Sequence, residues 1–135
     1  MIKVAICDDD IQFIYKLEQS IFRFAEMKRI KVDVDGYTSG AEFIQKLQQS
    51  ERYDLLFLDI ELGDSSGIIV GNWIRSQIQY ESMQIVFVSA KEMYAMQLFD
   101  LRPMNFLVKP IQQERVDYIL DEYERLYQFQ PHIIE

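Results

Sequence analysis

The feature that most constrains this chain is a periodicity that switches five times between strand-like apolar runs and helix-like spacing. Ile2–Cys7 is a short apolar run that ends at Asp8-Asp9-Asp10, after which Ile11, Ile14, Leu17, Ile21 and Phe24 recur at helical spacing. Residues 30–35 alternate strictly between apolar and charged, which predicts a strand with one wet face at a sheet edge. Ser39-Gly40-Ala41-Glu42 fits a capping box opening a helix through Leu47. Leu55–Leu58 is continuously apolar and ends at Asp59, followed by helix spacing at Val70, Trp73, Ile74 and Ile78. Ile85–Val88 ends at Ser89, with a short helix expected over Glu92–Phe99. Phe106–Val108 ends at Lys109-Pro110, before a last helix marked by Val116, Ile119, Leu120, Tyr123 and Leu126. Strands alternating with helices require a mostly parallel sheet covered on both faces, an α/β fold. Its central strands should be apolar throughout, as 55–58 and 85–88 are.

At 135 residues the chain is sized for one domain. No apolar run approaches the ~20 residues that span a bilayer, and no signal-peptide cleavage pattern follows the N-terminus, so no membrane contact is expected. The lone Cys7 cannot form an internal disulfide and suits a reducing cytoplasm; it is expected to be buried and inert. A net charge of -8, with Lys and Arg scattered singly, argues against this stretch gripping nucleic acid by itself.

Ligands of an open parallel sheet bind beyond the carboxyl ends of its strands. Those ends carry Asp8 and Asp9, Asp59, Ser89 and Lys109, brought to one edge although up to ~100 positions apart. Taken singly, Asp10 is a helix N-cap, Ser89 another cap and Lys109 a surface lysine; the joint placement in order is what points to a site. Three carboxylates packed together repel, and a small hard dication such as Mg²⁺ relieves them. With Lys109 it would neutralise charge on a transferring phosphoryl group, leaving Asp59, alone at its strand end, as nucleophile.

On these residues the sequence resembles the receiver domains of two-component response regulators, over residues 1 to about 127. Asp8-Asp9 matches that family's metal-binding acids and Asp59 its phosphoacceptor, with Gly67 at the usual offset in the following loop. Ser89, 30 residues after Asp59, matches the switch hydroxyl; Lys109-Pro110 matches the family lysine and the proline after it; Phe106 matches the aromatic switch position. The acceptor stretch Leu-Phe-Leu-Asp-Ile-Glu-Leu and Ile-Val-Phe-Val-Ser-Ala-Lys resemble most the receivers of LytTR-type transcriptional regulators.

The resemblance implies a flavodoxin-like, doubly wound five-stranded sheet of order 2-1-3-4-5, with helices on both faces. It implies Mg²⁺ held by Asp9 and Asp59, by Asp8 through water, and by the backbone carbonyl of Glu61. A cis bond before Pro110 follows too, as does a switch acting through Ser89 and Phe106. The donor would be a sensor histidine kinase. The output would be homodimerisation through the fourth helix, fifth strand and last helix, and transcription control through a C-terminal DNA-binding effector not in this chain. Residues 128–135, with Pro131 and His132, would be a tail or the start of a linker. Such a domain acts once on itself and is not a conventional enzyme.

Two departures stand out. Gly63 replaces a common proline, and Glu61 and Lys91 set opposite charges at the mouth of the site. Two rivals fit less well. A haloacid-dehalogenase-like phosphatase wants a second Asp where Glu61 stands, and a flavodoxin-like flavin module would not place three aspartates after its first strand. A receiver-like module that never takes phosphate would be marked by indifference to acetyl phosphate.

Overall fold

The computed structural model describes residues 1–128. Five strands, β1 (Ile2–Cys7), β2 (Val32–Tyr37), β3 (Leu55–Asp59), β4 (Gln84–Ser89) and β5 (Asn105–Val108), form one sheet. All pairings are parallel, in the order β2-β1-β3-β4-β5. Helices α1 (Ile11–Lys28) and α4 (Gln113–Tyr123) cover one face. Helices α2 (Gly40–Gln48) and α3 (Gly67–Arg75) cover the other, with a segment of 3-10 turns over Glu92–Leu101. Each face therefore has its own apolar layer. β3 is buried at every residue and β4 at all but Gln84, which is why both read as unbroken apolar runs. Among the described residues, no helix is long and apolar enough to cross a membrane.

Caps fix the helix starts. Asp10 accepts from the backbone N–H of Gln12 and Phe13 at α1, Ser39 from that of Glu42 at α2, and Ser66 from that of Ile68 at α3. The end of β3 also depends on a missing side chain. A Cβ on Gly67 would sit 2.2 Å from the backbone oxygen of Asp59, so only glycine lets α3 start against that strand end.

Three expectations need correction, and a fourth is met in a tighter form. The alternating strand lies at 32–37 rather than 30–35, because α1 runs to Lys28 and its left-handed cap Arg29, and Ile30 returns its N–H to Ala25. Ile78 is exposed, not core; α3 stops at Arg75, and a 3-10 turn inserts Tyr80 instead, its hydroxyl donating to the Leu47 carbonyl at 3.0 Å. The short helix expected over Glu92–Phe99 is present, wound as 3-10 and running on to Leu101. Lys91 offers no side-chain cap, and Met96 and Phe99 stay in solvent while Leu98 and Leu101 are buried. Leu126 is exposed, in a π-type turn over Glu124–Gln128 that follows α4. The tail expected over 128–135 lies, beyond Gln128, outside the described residues.

A buried hydroxyl relay ties β2 to the loop before β3. Tyr37 and Tyr53 hydrogen-bond through their hydroxyls, and Tyr53 donates to Asp35 Oδ2 at 2.6 Å. Tyr53→Phe is expected to cost about 1–2 kcal/mol, since it leaves Tyr37 and Asp35 short of a partner. Urea unfolding should show a lower midpoint at unchanged slope; an unmoved midpoint would mean the relay adds nothing.

Candidate functional site: an acidic cradle with one lysine

The site lies beyond the carboxyl ends of β1, β3, β4 and β5. Parallel strands put every such end on the same edge, so the residue after each apolar run arrives there whatever its distance in sequence. Asp8, Asp9 and Asp59 each offer a carboxylate oxygen within 4.8 Å of the others. Asp8 and Asp59 are buried, and Asp9 is exposed. Asp8 Oδ1 accepts from the N–H of Asp10 at 2.8 Å, and Asp59 Oδ1 from the N–H of Glu61 at 3.1 Å.

Lys109 follows β5 and joins to Pro110 through a cis peptide bond. Its Nζ lies 2.8 Å from Asp8 Oδ2 and 3.5 Å from Asp59 Oδ2. Burial works to lower its pKa, but Asp8 and Asp59 outweigh that and hold it above the usual lysine value. Burial, then the charge of Asp8, pushes Asp59 the other way, up to about 6, against the pull of the Glu61 N–H and Lys109. A single ammonium therefore serves two of the three carboxylates, Asp8 and Asp59.

Ser89 Oγ, fully buried, accepts from the N–H of Lys91 at 3.0 Å and donates to Glu61 Oε1 at 3.4 Å. Lys91 Nζ in turn pairs with Glu61 at 3.2 Å, so Glu61 and Lys91 do bridge the mouth of the site. Phe106 is half-buried against the α2–α3 layer, opposite Phe87 in the β4–β5 register. Cys7, buried just before the acids, has its thiol pushed up to about 12, first by burial and then by nearby carboxylates, and is inert as a nucleophile.

The donor set fits a hard divalent cation. Asp8 Oδ2 is buried with the Lys109 ammonium 2.8 Å away, and a carboxylate oxygen can accept a second positive partner beside it. Gly63 leaves the approach open, since a Cβ there would come within 3.2 Å of Asp9 Oδ2. All the ligand atoms are oxygens, as Mg²⁺ prefers.

Two participants were not legible in the sequence. Asp64 accepts from the N–H of Gly40 and Ala41, both at 3.2 Å, and so ties the loop after β3 to the start of α2. The ring of Phe13 stands 4.2 Å from the Lys109 ammonium. Asp64 follows Gly63 as any turn acid would, and Phe13 falls in a helical apolar spacing; neither carries a signal of its own.

With fold and site in view, the kinship is plain. The profile of the response regulator receiver domain matches residues 4–121. This chain belongs to the receiver domain family of two-component response regulators. It is 30% identical over 131 residues to the sensory transduction protein LytT of Bacillus cereus, across 96% of this chain and 50% of that protein. It is likewise 30% identical over 126 residues to LytR of Streptococcus agalactiae, across 93% of this chain and 49% of that protein. The chain thus spans about half the length of these curated relatives. Among solved structures, the response regulatory domain of MrkE from Klebsiella pneumoniae superposes with a TM-score of 0.80 at 23% identity, covering 95% of this chain and 99% of that one. The Thermotoga maritima response regulator TrrA, solved in complex with Mg²⁺-BeF, gives a TM-score of 0.73 at 23% identity, covering 90% of this chain and 98% of that one.

Proposed function

We propose that this domain is a phosphorylation switch whose acceptor is Asp59, loaded from the phosphohistidine of a sensor kinase or from a small phosphodonor. The observation that carries this reading is the convergence of three carboxylates at one sheet edge, two of them, Asp8 and Asp59, paired with Lys109. Asp9 and Asp59 would hold Mg²⁺ directly, Asp8 through water, and Glu61 through its backbone carbonyl. The ion, when bound, supplies positive charge to the oxygens of the phosphoryl group.

A carboxylate oxygen of Asp59 forms the new bond to phosphorus as the bond from phosphorus to the donor breaks, and the leaving group keeps the electron pair. Lys109, already held between Asp8 and Asp59, needs only a short displacement to meet a phosphoryl oxygen, so positioning precedes charge development. Ser89 then gives up Glu61 and turns its hydroxyl toward the phosphoryl group. Phe106 follows into the space vacated, a change of surface biased by one local charge.

The surface it alters is formed by residues 92–101, β5 and α4, where Met96, Phe99, Val108 and Tyr118 are exposed. Homodimerisation through that face fits the usual preference for two-fold assemblies. By likeness to LytT and LytR, an effector beyond this chain would carry the output to DNA. The chemistry is stoichiometric, one phosphoryl group per domain.

Intact-mass measurement tests this directly. Acetyl phosphate with Mg²⁺ should give a single phosphoryl adduct, and EDTA should suppress it. An adduct equally abundant in EDTA would remove the metal from the reading, and no adduct with any donor would leave a binding module that ignores phosphate.

A further inference from the structure

Lysine is a compact charge on a flexible stem, and a site that uses one must keep it from swinging into water. The Lys109 side chain is 22% exposed, and its two carboxylate partners both lie to one side, at the strand ends. On another side stands the face of Phe13, with the ammonium 4.2 Å from the ring centroid, well inside the ~6 Å reach of a cation–π contact. The ring is half-buried, packed on the α1–α4 layer, and it lines a cleft of about 430 Å³ with Lys109, Pro110 and Ile111.

The backbone of Phe13 is itself pinned by the acids. Asp8 Oδ1 receives the Asp10 N–H, and Asp10 Oδ1 receives the N–H of Phe13 at 3.3 Å. The ring of Phe13 meets Lys109, and Lys109 returns to Asp8 Oδ2. The contacts close on themselves, so the start of α1 and the lysine after β5 are placed as one unit.

We propose that Phe13 is a positioning residue for Lys109, holding the ammonium through its ring face at the distance from which it reaches a phosphoryl group on Asp59; this rests on the reading of Asp59 and Lys109 given above. The chemistry suits the task. A carboxylate at residue 13 would trap the lysine as an ion pair, and an aliphatic side chain would wall it in without attracting it. An aromatic face attracts the charge yet bears none, so the lysine can exchange Asp59 for an arriving phosphoryl oxygen at little cost.

The test is the rate of adduct formation from acetyl phosphate at fixed Mg²⁺, with thermal melting alongside. Phe13→Leu, which keeps apolar bulk, should slow the reaction about fivefold, while Phe13→Tyr should stay close to the unsubstituted rate. Replacing Phe13 with phenylalanines of increasing ring fluorination, which drain the face while preserving shape, should lower the rate step by step with melting unmoved. In a Lys109→Met background these changes should have no further effect. A flat fluorination series, a leucine variant at full rate, or the same losses in the Lys109→Met background would each overturn the inference. The reading of the site is judged separately, on the protein with Phe13 intact. If that protein takes no phosphoryl group, or Asp59→Asn takes as much, the site assignment itself fails and this inference with it.

Discussion

Asp59→Asn is expected to abolish the phosphoryl adduct and, in EDTA at pH 7.5, to make the domain more stable than the wild type. Asparagine keeps the outline of the side chain and can still accept the Glu61 N–H from Oδ1, now 3.1 Å away, but it has no anionic oxygen to attack phosphorus. The gain in stability follows from the acidity of Asp59. Its folded-state pKa is pushed up to about 6, by burial first and by the Asp8 charge second. A carboxyl group raised in this way favours folding while protonated. That contribution is complete below its unfolded value near 3.8 and is lost as pH rises through about 6. Metal-free wild type at pH 7.5 therefore carries a buried carboxylate at a cost of roughly 2–3 kcal/mol, and the amide does not. Urea melts in EDTA should show that gap at pH 7.5 and its closure near pH 4, and thermal melts should show a rise of several degrees at neutral pH. Equal stability at pH 7.5 would mean that Asp59 is not under electrostatic load. An adduct at wild-type level would move the acceptor elsewhere.

The same carboxylate shows why so much of this molecule was legible in its sequence. β3 is buried throughout, and β1 and β4 are buried but for Lys3 and Gln84 near their starts, so loss of solvent disfavours polar residues until the carboxyl ends. In a parallel sheet those ends are the site. Asp8, Asp59 and Ser89 are thus marked by the same constraint that marks the strands, while Lys109 follows the half-buried edge strand β5 and is marked by its place at that strand's end. Where the constraint weakens, the reading drifts. β2 is an edge strand with one wet face, and its alternation, begun at Ile30, does not say where α1 releases the chain. Ile78 continues the spacing of α3, but the backbone turns after Arg75 and the next buried ring is Tyr80. The short helix read over Glu92–Phe99 is there, but with Met96 and Phe99 in water little packing holds it to the wider α form, and it winds as 3-10 to Leu101. Contacts set by depth rather than pattern, such as Asp64 on the start of α2 and Phe13 on Lys109, carry no periodic signal.

Lys109→Met is expected to separate two things that the lysine does at once. Methionine keeps an apolar stem of similar reach and removes the charge, so Asp8 Oδ2 loses its partner at 2.8 Å and Asp59 Oδ2 its partner at 3.5 Å. Removing one partner of a buried ion pair typically costs about 3–5 kcal/mol, and Asp8, at 1% exposure, has no solvent to turn to. In EDTA the variant should accordingly melt well below the wild type. Added Mg²⁺ should restore most of the difference, because the carboxylates that have lost an internal cation now recruit an external one more strongly. The variant should therefore bind Mg²⁺ more tightly and show the larger metal-induced rise in melting temperature. Its adduct formation should nonetheless fall about a hundredfold, since the ammonium aimed at the phosphoryl oxygens is gone and tighter metal binding does not replace it. The two opposed changes make the test sharp: a lysine that only stabilised the fold would leave the metal-saturated variant reacting at the wild-type rate. One that served phosphoryl transfer alone would leave the EDTA melting temperature where it was.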